Sequence, residues 1–163
     1  WALVASMSVK RWCHASVVLD GKIYAMGGIG AVGGKLDTVE VYDPQADSWQ
    51  RVASMPQRLF MHAAAAMGGK IYVTGGLSSQ GSPLSSVYMY DPQADTWTQL
   101  ASMGTPWRNH ASAAVCGKLY VFGGYGASNG RLSTAEVYDP ASNNWAQASS
   151  LTSARHSLVA VAL

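Results

Sequence analysis

Charge is what this chain has least of. Asp, Glu, Lys and Arg make up 12% of its 163 residues, about half the usual share. Eleven bases against nine acids leave a formal charge of +2, too small and too evenly spread for a nucleic-acid footprint. Cysteine is nearly absent as well. Cys13 and Cys116 are the two thiols, too few for a disulfide framework and with no Cys-x-x-Cys pair for zinc. With no Asn-x-Ser/Thr sequon either, the expectation is a reducing, cytoplasmic location. No apolar run approaches the roughly 18 residues that cross a bilayer; the longest are stretches such as Ala63–Met67, so no membrane partner is expected. No signal-peptide pattern follows Trp1, and a start at Trp is read as a chain cut from something longer in preference to a processed amino terminus. What is plentiful is apolar residues, at 48%, with 17 glycines and many aromatics. That content excludes disorder and points to packed strands joined by tight turns.

The glycines and aromatics recur at a fixed step. Trp1, Trp49, Trp97 and Trp145 are 48 positions apart. The same step links Gly27-Gly28, Gly75-Gly76 and Gly123-Gly124, and also Tyr42-Asp43-Pro44, Tyr90-Asp91-Pro92 and Tyr138-Asp139-Pro140. An uninterrupted period of this length is the mark of a repeat architecture. The repeats run approximately 1–48, 49–96 and 97–144, with a partial repeat 145–163.

Within each period short strands alternate with turn signals. An apolar run, His14–Leu19, reaches Asp20-Gly21 and turns into Lys22–Gly27. A Gly/Ser-rich loop of about nine residues follows, at Ile29–Asp37, Leu77–Ser85 and Tyr125–Ser133. A third strand through Val39–Tyr42 stops at Asp43-Pro44, because proline has no donor for the ladder. A fourth begins at Trp49. Four antiparallel strands per period make one blade of an all-β propeller. The Gly-Gly pairs fit close backbone approach; without Gly-x-Gly-x-x-Gly or a Walker lysine they are no phosphate cradle.

Gly-Gly after an apolar strand, a spaced Tyr and a closing Trp resemble the Kelch repeat. The segments VEVYDPQADSWQRVASM (39–55) and AEVYDPASNNW (135–145) are similar to the BTB–Kelch adaptor branch. The resemblance implies a Kelch-type β-propeller of four-stranded antiparallel blades, present as a partial ring: about three complete blades plus flanking strands from Trp1 and up to Leu163. Kelch rings usually close with six or seven blades. A partial ring has open strand edges, so a longer parent chain, or self-association with a second copy to complete the ring, is expected.

For function, the resemblance implies a protein–protein interaction module and no enzyme or cofactor. It suggests the substrate-recognition propeller of a cullin ubiquitin-ligase adaptor, docking through a domain outside this sequence. An actin-binding Kelch protein and a propeller enzyme acting on a sugar or small molecule are the alternatives. The candidate contacts lie in two loop sets. The first joins successive blades and carries Arg11, Trp12, Arg58, Trp107, Arg108, Asn109 and Arg155, residue types rich in interface hot spots. The second follows Gly-Gly and carries Tyr125, Asn129 and Arg131. In BTB–Kelch adaptors an arginine just past the Met position binds client carboxylates. Arg11 and Arg155 fill that slot, while Leu59 and Trp107 occupy it in the middle repeats. A tyrosine after Gly-Gly is a frequent contact, supplied here by Tyr125 and not by Ile29 or Leu77. With few acids in these loops, an anionic partner fits better than a cationic one, and a protein or acidic peptide is the expected client.

His14, His62 and His110 share the 48-residue step. Equivalent positions on successive blades do not converge on one ion at about 2 Å, so they are read as structural histidines rather than metal ligands. Glu40 and Glu136 lie two blades apart, too far for a carboxylate pair, and no Gly-x-Ser-x-Gly elbow is present.

Overall fold

The computed structural model describes residues 1–128 and 130–160. Its twelve longer strands form three four-stranded antiparallel sheets. The first orders β2 (Ala15–Leu19), β3 (Lys22–Met26), β5 (Val39–Asp43) and β6 (Ser48–Val52). The second holds β7 (Ala63–Met67), β8 (Lys70–Thr74), β9 (Val87–Asp91) and β10 (Thr96–Leu100). The third holds β11 (Ala111–Val115), β12 (Lys118–Phe122), β13 (Ala135–Asp139) and β14 (Asn144–Ala148). Each sheet is a propeller blade. A two-residue ribbon pairs β1 (Arg11–Trp12) with β4 (Ile29–Gly30).

Local chemistry sets these elements. The first hairpin of each blade turns on two residues of positive φ, Asp20-Gly21, Gly68-Gly69 and Cys116-Gly117, the requirement of a type I′ turn. The third strand ends at an Asp whose carboxylate captures the next backbone N–H groups: Gln45 donates to Asp43 at 2.9 Å, Gln93 to Asp91 at 3.0 Å and Ala141 to Asp139 at 2.9 Å. These Asx turns lead the chain into the outer strand.

The first strands lie innermost, β2 beside β7 and β7 beside β11, so the blades fan out from a common axis. Between the first two blades Tyr24, Met26 and Val39 pack with Ile71, Val73, Tyr88 and Tyr90. Between the second and third, Ala65 and Tyr72 meet Leu119 and Tyr138. β8 is buried on both faces, whereas in β3 Ile23 stays 39% exposed, because its face of the first blade has no sheet against it. The far face of the third blade is an apolar groove of about 700 Å³ lined by Val115, Tyr120, Phe122 and Val137 among others.

Each sheet straddles two sequence repeats, taking its outer strand from the next one. The seams between blades are built alike. The indoles of Trp49, Trp97 and Trp145 donate at 2.9 Å to the carbonyls of Ala5, Ala53 and Ala101. The N–H groups of those alanines donate in turn to Asp47, Asp95 and Asn143 at 2.8, 2.8 and 3.1 Å. The same acceptors take the hydroxyls of Tyr42, Tyr90 and Tyr138. A Cβ on Gly27 would stand 2.6 Å from the Leu59 carbonyl, and one on Gly28 2.7 Å from the Trp12 carbonyl. The glycine pair therefore gives room to the next blade and to its own blade at once.

The flanking segments differ from regular strands. Residues 1–10 and 149–160 form no ladder among the described residues, since no further strand lies beside them. They are pinned by scattered bonds, among them Ser8 N–H to Glu40 at 2.8 Å, Leu151 N–H to Ser133 O at 2.7 Å and Arg155 N–H to Leu132 O at 3.2 Å.

Candidate functional site

Strand direction brings both loop sets, those between blades and those after Gly-Gly, to one rim. There they form a short three-residue row on each blade. Trp12, Ile29 and Lys35 are cross-strand partners on the first blade, Phe60, Leu77 and Pro83 on the second, and Arg108, Tyr125 and Arg131 on the third. Directly paired residues share a face, so each row presents its side chains together. Rows also touch across seams. Ile29 packs with Phe60 and Leu77, Lys35 Nζ lies 5.1 Å from the Phe60 ring, and the Tyr125 ring stacks 4.5 Å from His156. The result is a band in which Ile29, Phe60 and Leu77 form a buried apolar base over the first two blades, with Trp12 exposed at its edge, and which is cationic over the third.

At the mouth of the axis a second series runs beneath this band. Cys13, Met61, Asn109 and Ser157 all have φ between 51° and 57°. Met61 N–H donates to Cys13 O, Asn109 to Met61 O and Ser157 to Asn109 O, each at 2.9 Å. Beside them His14, His62 and His110 line a cavity of about 250 Å³. His62 and His110 are buried, and the would-be Cβ atoms of Gly27 and Gly75 lie 2.8 and 2.9 Å from their Cε1 atoms. These rings are wedges between blades. Burial, and next the neighbouring histidine, pushes each of the two down to about 3.

The structure sorts the expected contacts. Trp12 is 58% exposed and Arg58, Arg131 and Arg155 are exposed. Arg58 reaches Asp37 at 3.5 Å and Arg155 donates to Ser153 Oγ at 2.7 Å. Arg108 sits 4.6 Å over the half-buried Tyr125 ring. Asn109 is a member of the backbone series at the axis, and Asn129 lies outside the described residues. Two of the ten need correction as rim contacts.

The Arg11 side chain is 0% exposed. It donates to Gly27 O at 2.9 Å, Thr38 O at 3.0 Å and Glu40 at 2.6 Å. Burial raises the Glu40 carboxyl, but the bonds from Ser8 and Arg11 outweigh it and hold the group below its ordinary value. Trp107 fills the same repeat position in the third blade and is 0% exposed, packed with Val87, Met103 and Val121. Both are blade glue, because this position faces the third strand of the blade rather than solvent. The next position is held by Trp12, Phe60, Arg108 and His156; Trp12 is exposed and Arg108 and His156 are half-buried, while Phe60 is buried against Ile29 and Leu77. Phe60, Lys35 and His156 were thus missed, although the 48-residue step marks Phe60 and His156 once the series is started one residue later.

A family profile described as the KLHDC2/KLHL20/DRC7 Kelch-repeats domain matches residues 13–162. Mouse Kelch-like protein 35 is 43% identical over 49 residues, 30% of this chain and 8% of that protein. The Arabidopsis thaliana F-box/kelch-repeat protein At1g67480 is 37% identical over 49 residues, 30% of this chain and 13% of that one. Human Kelch repeat and BTB domain-containing protein 12 is 35% identical over 57 residues, 31% and 9% respectively. Each alignment is about one repeat long and spans a small part of the relative. The solved structure of YjhT superposes with a TM-score of 0.80 at 18% identity, covering 91% of this chain and 54% of that one. That likeness carries the fold.

Proposed function

Because the chain belongs to the Kelch-repeat family, we propose that its rim of three-residue rows recognises a protein client and that, within a longer polypeptide, it is the client-recognition propeller of a cullin ubiquitin-ligase adaptor. The observation that carries the first part is the contrast between seam and row. Seam positions repeat with little change, because Tyr, Trp, Asp or Asn and Gly-Gly are each bound to packing duties. Row positions change chemistry from blade to blade, Trp-Ile-Lys, Phe-Leu-Pro and Arg-Tyr-Arg; Ile29, Phe60 and Leu77 pack together as a buried cluster, while Trp12 and Arg131 stay exposed at the two ends of the series. A rigid scaffold that varies only its loops is how propellers host binding sites.

Charge supports an acidic client. On this rim Lys10, Lys35, Arg58, Arg108, Arg131 and Arg155 stand against Asp37, while Asp20, Asp43, Asp47, Asp91, Asp95 and Asp139 are placed at the opposite end. The adaptor role is supported by the names of the relatives, one joining Kelch repeats to a BTB domain and one to an F-box.

The test is affinity capture from cytosolic extract by the wild-type chain and by Trp12→Ala and Arg58→Glu variants. The expected outcome is proteins retained by the wild type and lost from the variants, with melting temperatures within about 2 °C, since exposed substitutions change stability little. Equal retention by all three chains would place the client elsewhere.

A further inference from the structure

We infer that Ser153 is a phosphorylation site whose phosphate, held by Arg155, turns the rim away from an acidic client; the switch rests on the rim being a client surface. Ser153 Oγ already accepts a hydrogen bond from the Arg155 guanidinium at 2.7 Å. A phosphoryl group on that oxygen brings about two negative charges and three acceptor oxygens to the same fork, a pairing that guanidinium groups hold well. Arg155 has the repeat position of the buried Arg11. Among the described residues no strand follows β14 to cover it, so its side chain stays exposed and turns to Ser153.

A kinase must draw the residues around the acceptor into its cleft, so the backbone there has to be reachable. Thr152, Ser153, Ala154 and Arg155 are all exposed, in a segment that joins no ladder. Thr105, Ser82 and Ser157 are rim hydroxyls that fail this requirement. Thr105 lies between the buried Met103 and Trp107. Ser82 is tied across its turn, its N–H to Ser78 Oγ at 3.2 Å and its carbonyl to Ser78 N–H at 2.9 Å. Ser157 N–H donates to Asn109 O at 2.9 Å in the axial series. An arginine two residues past the acceptor also suits a serine kinase with an acidic pocket at that point of its cleft. The reaction moves the γ-phosphoryl of ATP to Ser153 Oγ. The bond from that phosphorus to ADP breaks, the P–Oγ bond forms, and the hydroxyl proton goes to the kinase's carboxylate base. The segment is stitched to the third blade's loop, Leu151 N–H donating to Ser133 O at 2.7 Å and Gly124 N–H to Arg155 O at 2.7 Å. A phosphate there cancels Arg155 and meets an acidic client with like charge.

The 163-residue chain is incubated with ATP and a purified serine kinase selective for a basic residue two positions after its acceptor. The product is mapped by mass spectrometry, and capture from cytosolic extract is repeated with it. The expected result is phosphate at Ser153, none at this position in Ser153→Ala, and incorporation at least about tenfold slower in Arg155→Gln. Phosphate found elsewhere while Ser153 stays bare would overturn the site. In a phosphorus NMR titration the second ionisation should fall below the usual value of about 6, and return to it in urea. The same value in both conditions would overturn the clasp by Arg155. Capture of the clients that Trp12→Ala loses should fall at least about tenfold on phosphorylation, with a melting temperature within about 2 °C of the unmodified chain. Undiminished capture by the phosphorylated chain would overturn the switch, and so would a loss accompanied by a collapse in melting temperature. If the unmodified chain captures nothing that depends on Trp12, the rim reading and the switch fall together, while the mapped position still decides the site.

Discussion

The position one residue before the rim shows how one side chain decides between glue and contact. Arg11 satisfies Glu40 in the first blade, Leu59 takes its place in the second, and Trp107 in the third, where Glu136 keeps the backbone bond from Gly104 alone. Removing one member of a buried ion pair strands the other, at a cost of about 3–5 kcal/mol. Arg11→Met should therefore lower stability by about that amount in chemical denaturation, and Arg11→Met/Glu40→Gln should recover part of it. A client contact would give the opposite pattern, lost capture at unchanged stability. The buried histidines make a second prediction at this scale. In the folded chain His62 and His110 bind protons only near pH 3, and unfolded they do so near 6.5. Between those values the unfolded state holds more protons, so stability falls as pH drops below about 6.5. Each histidine contributes roughly 1–2 kcal/mol of that loss by pH 5. Thermal melts at pH 7 and pH 5 should show it, and His110→Gln should flatten the slope.

At the scale of strands and seams, the repeat was legible because packing writes it into the sequence. Gly-Gly, Tyr-Asp-Pro and Trp each do the same job in every blade, so a step of 48 names both the strands and their turns. The rim was less legible. Arg11 and Trp12 are neighbours with opposite fates, and what separates them is Glu40, about 30 residues away on the third strand. Residue type at a loop position does not reveal that partner, although a glutamate within an otherwise apolar strand is a sign that some cation must reach it. The seam itself makes a sharp prediction. Asp95 accepts the Tyr90 hydroxyl at 2.7 Å and the Ala53 N–H at 2.8 Å from a backbone with φ of 52°. Asp95→Asn should change stability by less than about 1 kcal/mol, because asparagine tolerates that φ and already does this work at Asn143. Asp95→Ala loses both acceptors and the conformational preference, and should cost about 2–4 kcal/mol. Equilibrium unfolding of the two variants would separate acceptor from charge.

On the scale of the whole molecule, the two ends of the row of blades are apolar. Val18 is 63% exposed on the first blade and Val115 48% on the third, beside the groove lined by Tyr120, Phe122 and Val137. Sheet faces of this kind associate when left uncovered. Light scattering of the chain alone should give a mass that rises with concentration, and Val137→Lys should bring it back toward a single chain. Around the axis, each backbone N–H at Met61, Asn109 and Ser157 points back to the carbonyl of the blade before it. The linkage has a direction, and every join offers the same plug to the same socket. A 48-residue unit can therefore be exchanged, copied or reordered without redesigning its neighbours. Placing the Arg-Tyr-Arg unit ahead of the Phe-Leu-Pro unit would move the cationic sector along the rim like a bead on a string, so that the order of units spells the order of features a client must carry.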